Sequence, residues 1–143
     1  MAKQQIAVVT LGTDDAGRSR RFYCEGFGWH PVFEAPEIVF FQMNGLMLGI
    51  WDRPALLDDL QRANGIQSQP AAITIAHNVP ERGDVAPLIN RLVAAGGTLV
   101  RAADAPSHGG FRGYVADPDG HVWEIAWNPA WAIDDEGRVT FGV

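Results

Sequence analysis

The chain has 143 residues, enough for one domain with a substantial core or for two small halves that share one. Hydrophobic residues make up 47% of it, charged residues 20%, and the net charge is −6, so a basic surface for binding nucleic acid is not expected. The single cysteine, Cys24, excludes an intrachain disulfide, and no apolar stretch approaches the ~18 residues of a membrane span. We therefore expect a cytoplasmic protein that binds neither nucleic acid nor a membrane.

The first part of the chain predicts a strand followed by a capped helix. Residues 6–11 (IAVVTL) have the apolar content of a strand. The Asp-Asp pair at 14–15 precedes AGRSRRFYCEGF, in which aromatic residues recur at helical spacing. We therefore expect a helix of about ten residues there, capped by the aspartates. Three further strands are predicted, roughly at 30–34, 37–43 and 46–52.

The second part of the chain follows the same order. Residues 54–65 (PALLDDLQRANG) begin with proline at a first helical position and end in Asn-Gly, which predicts a linking helix. AAITIA at 71–76 predicts a strand, and residues 84–95 carry the apolar stripe of a helix that Gly96-Gly97 closes. Three strands are again predicted, at 98–102, 110–116 and 121–127.

Two segments show that the halves are copies of one unit. NGLMLGIWDRP (44–54) and DGHVWEIAWNP (119–129) match at one constant offset, and each begins with a hairpin turn and ends at proline. The order is therefore β-α-β-β-β, written twice. We expect an α+β fold in which eight strands form a curved mixed sheet around a trough, with helices on its outer face. The whole chain, 1–143, is interpreted as a single domain, with module one at 5–53, the linking helix at 54–65, module two at 70–129 and a C-terminal tail at 130–143.

This doubled order resembles the vicinal-oxygen-chelate superfamily, which includes glyoxalase I, extradiol dioxygenases and the bleomycin- and fosfomycin-resistance proteins. The residues that carry the resemblance are VTLGTDDAGRSRRFYCEGFGW (9–29) and GGFRGYVADPDGHVWEIAWNP (109–129). The resemblance implies a ligand in the trough between the modules and, frequently, a homodimer. It does not imply one activity, because the superfamily hosts unrelated chemistries.

Metal-dependent members of that superfamily hold a divalent ion with His, Gln or Glu at four strand positions. The resemblance places these positions on Val8, Gly49, Glu124, and Thr74 or a residue beside it. Valine and glycine cannot ligate a metal, and a threonine hydroxyl is a poor ligand for transition metals. We therefore expect no family-type metal site and no cofactor. No local metal-ligand spacing such as H-x-x-x-H occurs among the histidines, which are His30, His77, His108 and His121.

Strand alternation predicts which side chains face the trough. In the last strand, Glu124 shares a face with Val122 and Ala126, while Trp123 and Ile125 point to the core. His108 lies in a glycine-flanked loop, a setting in which a segment can cover a ligand. The predicted ligand-binding residues are Val8, Met47, Trp51, Thr74, His108, Arg112, Tyr114, Val122 and Glu124.

Glu124 is the one carboxylate in this set, and several roles are open to it. Beside Trp51 it could bind a cationic or amine-bearing ligand through an ion pair and cation–π attraction. A carboxylate desolvated by apolar walls would instead have a raised pKa and could serve catalysis as a general base. In a purely structural alternative, Trp51 fills the trough while Glu124 pairs with Arg112 or hydrogen-bonds to Tyr114.

The leading hypothesis is a glyoxalase/bleomycin-resistance-like protein that binds a small molecule in the trough without a metal. The alternative is a metal-dependent or metal-free lyase, isomerase or dioxygenase that uses Glu124 as a ligand or general base. A third possibility is a structural or interaction role through a dimer. The residues alone do not decide whether the protein is an enzyme.

Overall fold

The structure, a computed structural model, describes residues 4, 6–59, 73–107, 109–140 and 142. Asp15 begins the first helix, because its side chain accepts a hydrogen bond from the backbone N–H of Arg18 at 3.0 Å. That helix continues without a break as a π-helix, Phe22–Gly26. The elements of module one are β1 (Val8–Thr13), α1 (Ala16–Arg21), β2 (Phe33–Ala35), β3 (Ile38–Gln42) and β4 (Met47–Asp52).

The second module repeats the first. A short helix, α2 (Arg53–Asp59), follows β4 directly. A 3-10 turn, Arg82–Asp84, leads into the helix of module two. The elements of module two are β5 (Ile75–Asn78), α3 (Val85–Ala94), β6 (Thr98–Asp104), β7 (Phe111–Ala116) and β8 (Val122–Trp127), and the tail contains β9 (Ala132–Ile133) and β10 (Val139–Thr140). No helix in the described ranges is long and apolar enough to cross a membrane.

The α+β fold and the doubled β-α-β-β-β module are confirmed. Sheet one has the order β1-β4-β3-β2 and sheet two the order β5-β8-β7-β6, each with a parallel pair at one edge and antiparallel pairs elsewhere. Both predicted hairpin turns are present, with φ of 87° at Gly45 and 92° at Gly120. The eight strands of the modules form two separate four-stranded sheets, since no strand pairing joins them in the part of the chain that the structure describes, and β9 and β10 pair with each other in the tail.

Two boundaries differ from the sequence-based prediction. β5 begins at Ile75, so Thr74 precedes the strand and is exposed. The described part of the linking helix is α2, which ends at Asp59; the rest of that predicted helix and the start of the predicted strand at 71–76 lie outside the described residues. Strand alternation in the last strands is as predicted, with Leu48, Ile50, Trp123 and Ile125 all buried.

The modules meet through the sides of the sheets that the helices cover. The ring of Tyr23 on the π-helix lies 5.8 Å from that of Phe41 in sheet one and 5.9 Å from that of Trp123 in sheet two. Its hydroxyl donates a 2.7 Å hydrogen bond to Asp117, and the Trp123 indole N–H donates to the same hydroxyl at 3.2 Å. Burial raises the pKa of Asp117 and holds that of Tyr23 well above its usual value. One hydrophobic core therefore spans both modules.

A second polar contact at this junction involves the turn before β8. The side chain of Asp119 accepts hydrogen bonds from the hydroxyls of Thr13 at 2.6 Å and Ser19 at 2.8 Å. It also accepts from the backbone N–H of Asp14 and the guanidinium of Arg18, each at 2.8 Å. The turn of module two is thereby fixed to the start of α1 in module one.

Candidate functional site

The face of sheet two opposite its helices carries the predicted carboxylate. Strand pairing sets Glu124 on β8 directly between Ala76 on β5 and Tyr114 on β7. Arg112 lies two residues before Tyr114 and Val122 two residues before Glu124, so they share this face. We call these five residues the module-two face. The structure brings together four of the predicted ligand-binding residues here, and Ala76 is an addition.

Within this face Glu124 is half-buried and has one side-chain partner among the described residues. The Tyr114 hydroxyl lies 3.5 Å from its Oε2 atom, at the limit of a hydrogen bond. Since each carboxylate oxygen can accept two hydrogen bonds, most of its accepting capacity is available to a ligand. Of the two contacts named in the structural alternative, the hydrogen bond with Tyr114 is the one present, at this limiting distance.

Arg112 does not pair with Glu124. Its guanidinium forms an ion pair with Asp104 at the end of β6, and its side chain is only 13% exposed. Arg101 reaches the same carboxylate at 2.9 Å. Hydrogen bonds from Arg101 and Arg112 hold the pKa of Asp104 below its usual value, although burial opposes this. Glu124 and Asp104 thus differ, because two arginines neutralise Asp104 whereas none of the arginines that the structure describes pairs with Glu124.

The corresponding face of sheet one is mostly apolar. Val8 pairs with Met47, Thr10 with Gly49, and Gly12 with Trp51 across the parallel β1–β4 ladder. Val8 is 45% exposed, and Met47 and Trp51 are half-buried. The ring of Phe40 lies over Gly49, where an added Cβ would come within 2.9 Å of its Cε1 atom. We call Val8, Thr10, Phe40, Met47 and Trp51 the module-one face.

The two faces lie on different sheets. Among the described residues, no hydrogen bond, ion pair or ring contact joins the module-one face to the module-two face. Of the remaining predicted residues, Thr74 lies in an exposed segment before β5, and His108 lies outside the described residues. Val8, Met47 and Trp51 therefore form one group and Glu124, Tyr114, Arg112 and Val122 another.

A comparison with protein families agrees with this architecture, a doubled module with a half-buried carboxylate on the last strand of its second copy. The model of the Glyoxalase/Bleomycin resistance protein/Dioxygenase superfamily matches residues 5–125. The chain belongs to this superfamily. The match covers both modules, from the residues before β1 to the middle of β8.

Solved structures of other superfamily members are similar over most of the chain. A glyoxalase-related enzyme from Fulvimarina pelagi is 57% identical, with a TM-score of 0.93 over 99% of this chain and 100% of that one. A family enzyme from Burkholderia phytofirmans PsJN is 20% identical, with a TM-score of 0.77 over 86% of this chain and 98% of that one. Lactoylglutathione lyase from Agrobacterium tumefaciens is 21% identical, with a TM-score of 0.63 over 90% and 96%. The last two show the shared fold. No curated protein matches the chain.

The residues at the superfamily's metal positions do not fit a metal in this member. Val8 and Gly49 offer no donor atom, and Phe40 occupies the space above Gly49 that a ligating side chain would need. The position assigned to β5 falls on Thr74 or on Ala76, which strand pairing sets opposite Glu124. Neither of these two side chains is a strong metal ligand. In the described part of the chain no three His, Cys, Asp or Glu side chains lie close enough together to hold an ion.

Sequence reasoning missed three features of this superfamily member's site. Ala76 was missed because the strand register was not known, and Asp104 because its contact with Arg112 depends on an irregular pairing of β6 with β7. Phe40 was missed because its contact with Gly49 crosses from β3 to β4. A glycine in the middle of an apolar strand was the available signal, since it often marks the close approach of a neighbouring group.

Proposed function

We propose that the protein binds a small organic molecule bearing an amine or another hydrogen-bond donor, that Glu124 binds the polar group, and that no family-type metal takes part. The observation that carries the proposal is that Glu124 is half-buried on a sheet face, where a long hydrogen bond from Tyr114 is its only side-chain partner among the described residues. A carboxylate in such a position can accept a charge-assisted hydrogen bond from a ligand. Apolar surface with few oriented polar groups is typical of small-molecule sites.

We further propose that a second copy of the chain completes the site, and that the homodimer acts in the cytoplasm. The module-one face supplies apolar and aromatic surface and the module-two face supplies the carboxylate, and no hydrogen bond, ion pair or ring contact joins them in the described part of one chain. The edge strands β1 and β5 have no partner on their outer sides among the described residues. Large apolar side chains are exposed at these two edges: Ile6 at 62%, Val8 at 45% and Ile73 at 71%. Two copies that pair at these edges would bury them.

Replacing Glu124 with glutamine should weaken the binding of an amine-bearing ligand by roughly tenfold, because it removes the charge from the hydrogen bond. The measurement is a panel of small amines and their neutral analogues, followed by Trp fluorescence and calorimetry. Glu37→Gln is the matched control, because Glu37 is exposed in the turn between β2 and β3. A panel that gives no response, or equal affinity in Glu124→Gln and the wild type, would contradict the proposal.

Protein purified without a chelator should contain far less than one equivalent of Zn, Ni, Mn or Fe, because the superfamily positions supply one strong ligand in place of three or four. Elemental analysis measures this directly. An equimolar metal signal that disappears in Glu124→Ala would show that the metal-dependent alternative is right.

The dimer should dissociate when Ile73 is replaced by aspartate, because the substitution places a charge in the apolar contact that we propose at the β5 edge. Sedimentation equilibrium should give twice the monomer mass for the wild type and the monomer mass for this variant. Val139→Asp in the tail, where Val139 is 46% exposed, is the control and should remain dimeric. A wild-type protein that is monomeric at all concentrations would refute the proposal that a second copy completes the site.

A metal-free enzyme with Glu124 as general base is the second candidate. It is favoured by the 57% identical structure from Fulvimarina pelagi, which is that of a glyoxalase-related enzyme. In this case the Tyr114 hydroxyl would orient the carboxylate while Glu124 removes a proton from a bound substrate. A ligand found in the panel would then be converted to product by the wild type and bound unchanged by Glu124→Gln.

A further inference from the structure

A cleft of about 240 Å³ lies on the opposite side of sheet two from Glu124, between the end of the π-helix and α3. Both modules contribute to its walls, because Phe27 follows the π-helix of module one and the other lining residues belong to module two. We call it the junction cleft, and the lining residues that matter for binding are Phe27, His77, Val79, Asp84, Leu88 and Arg91. It has room for an organic group of roughly eight water volumes.

His77 places a polar ring beside the aromatic Phe27 in the wall of the cleft. It lies within β5, on the side that faces the helices, where its Cα partner on β8 is the buried Ile125. Its ring is 5.4 Å from that of Phe27 and 6.1 Å from that of Trp29. No hydrogen bond to its ring nitrogens is formed by the described residues, so they remain available to a ligand. Burial lowers the pKa of His77, which keeps the imidazole neutral near pH 7.

Two charged side chains, those of Asp84 and Arg91, line the cleft. Asp84 and Arg91 are separated by two turns of helix, a spacing of about 10 Å along the axis. The Asp84 carboxylate already accepts a 3.2 Å hydrogen bond from the backbone N–H of Glu81. Arg91 forms no ion pair among the described residues, although its side chain lines the cleft. The guanidinium of Arg91, which has no ion-pair partner among the described residues, thus lies beside the aromatic and apolar side chains of the cleft.

We propose that the junction cleft is a second binding site, for a small monocarboxylate with an aromatic body. The carboxylate would pair with Arg91, and the ring would pack against Phe27, Val79 and Leu88. His77 would add a hydrogen bond from its ring N–H. Asp84, two turns of helix before Arg91, disfavours a ligand with a second negative charge, which sets the preference for one carboxylate over two. This proposal is independent of the function proposed for Glu124, because the two sites share no residue.

Phenylacetate is a suitable probe, and the experiment is an NMR titration of the ¹⁵N-labelled chain. We expect saturable shifts of the amide signals of Phe27, His77 and Leu88, with a dissociation constant in the range of about 0.1–10 mM. Measured at these three amides, phenethylamine and phenylsuccinate should bind at least about fivefold more weakly, since one reverses the charge and the other doubles it. Arg91→Gln should weaken phenylacetate binding about five- to tenfold. Arg20→Gln, on α1, is the matched control and should bind as the wild type does, because Arg20 pairs with Glu34.

Several outcomes would overturn the proposal. They are the absence of saturable shifts at these amides, shifts centred on the module-two face, and an affinity for phenethylamine at these same amides that equals that for phenylacetate. Unchanged affinity in Arg91→Gln would also overturn it, and since Arg91 is exposed on α3 this variant should fold normally. Shifts centred on the module-two face would instead report on the site proposed at Glu124, whereas the results read at the amides of Phe27, His77 and Leu88 do not bear on it.

Discussion

Replacing Asp119 with asparagine should lower the free energy of unfolding by about 3 kcal/mol at neutral pH, because it breaks a buried hydrogen-bond network. The Asp119 side chain is 0% exposed and accepts four hydrogen bonds, from Thr13, Asp14, Ser19 and Arg18. Asparagine has one acceptor oxygen, and its NH2 group would face donors that it cannot satisfy. Urea unfolding of the two proteins measures the difference.

The effect should depend on pH in a defined direction. Burial acts to raise the pKa of Asp119, but the hydrogen bonds from Thr13, Asp14 and Ser19 outweigh it, and the pKa is lowered. A carboxylate whose folded-state pKa lies below the unfolded value of about 3.9 gives its full stabilisation above that value. The stabilisation is lost as the pH falls through the folded-state pKa. The difference between wild type and Asp119→Asn should therefore be largest near pH 7 and smaller near pH 3.

Asp59→Asn is the control for this comparison, because Asp59 is exposed at the end of α2 and should change stability by less than about 0.5 kcal/mol. If Asp119→Asn behaved like this control, or if its effect were the same at pH 3 and pH 7, the network would not be what holds the modules together. The expected loss would instead show that the turn before β8 stabilises the junction between the modules in addition to reversing the chain.

Replacing Gly97 with alanine should also destabilise the protein by about 3 kcal/mol, because there is no space for a methyl group. A Cβ at this position would lie 2.6 Å from Cε1 of Phe22 and 2.9 Å from the carbonyl oxygens of Leu92 and Ala116. Phe22 is fully buried, and backbone oxygens cannot move aside without a shift of α3 or β7. Thermal and urea unfolding should both show the loss.

Gly83→Ala provides the matched control, because a Cβ at Gly83 would meet no atom within 4 Å. We expect this variant to be as stable as the wild type or slightly more stable, since alanine restricts the unfolded chain. Near-wild-type stability of Gly97→Ala would mean that the packing of Phe22 against this glycine is looser than the structure shows.

The α+β class and the doubled module could be predicted from sequence because the signals that specify them are local. Alternating apolar residues, the aspartates before α1 and the Gly45 and Gly120 turns act within a few residues of chain. The family followed from the same motifs, and the match over residues 5–125 confirms it. The inward and outward faces of β4 and β8 were also predictable, because alternation along a strand has a period of two.

The partners of each side chain were decided only by the tertiary structure, because they depend on pairing between distant segments. The register of β5 against β8 sets Ala76 opposite Glu124, and a shift of two residues would have set Thr74 there. Arg112 was a candidate partner for Glu124, but the bulged pairing of β6 with β7 sets it beside Asp104. Gly97 looked like a helix end alone, and its contact with Phe22 arises because module one packs against module two. Sequence patterns fix which face a side chain occupies, whereas the packing of the two modules fixes what it meets there.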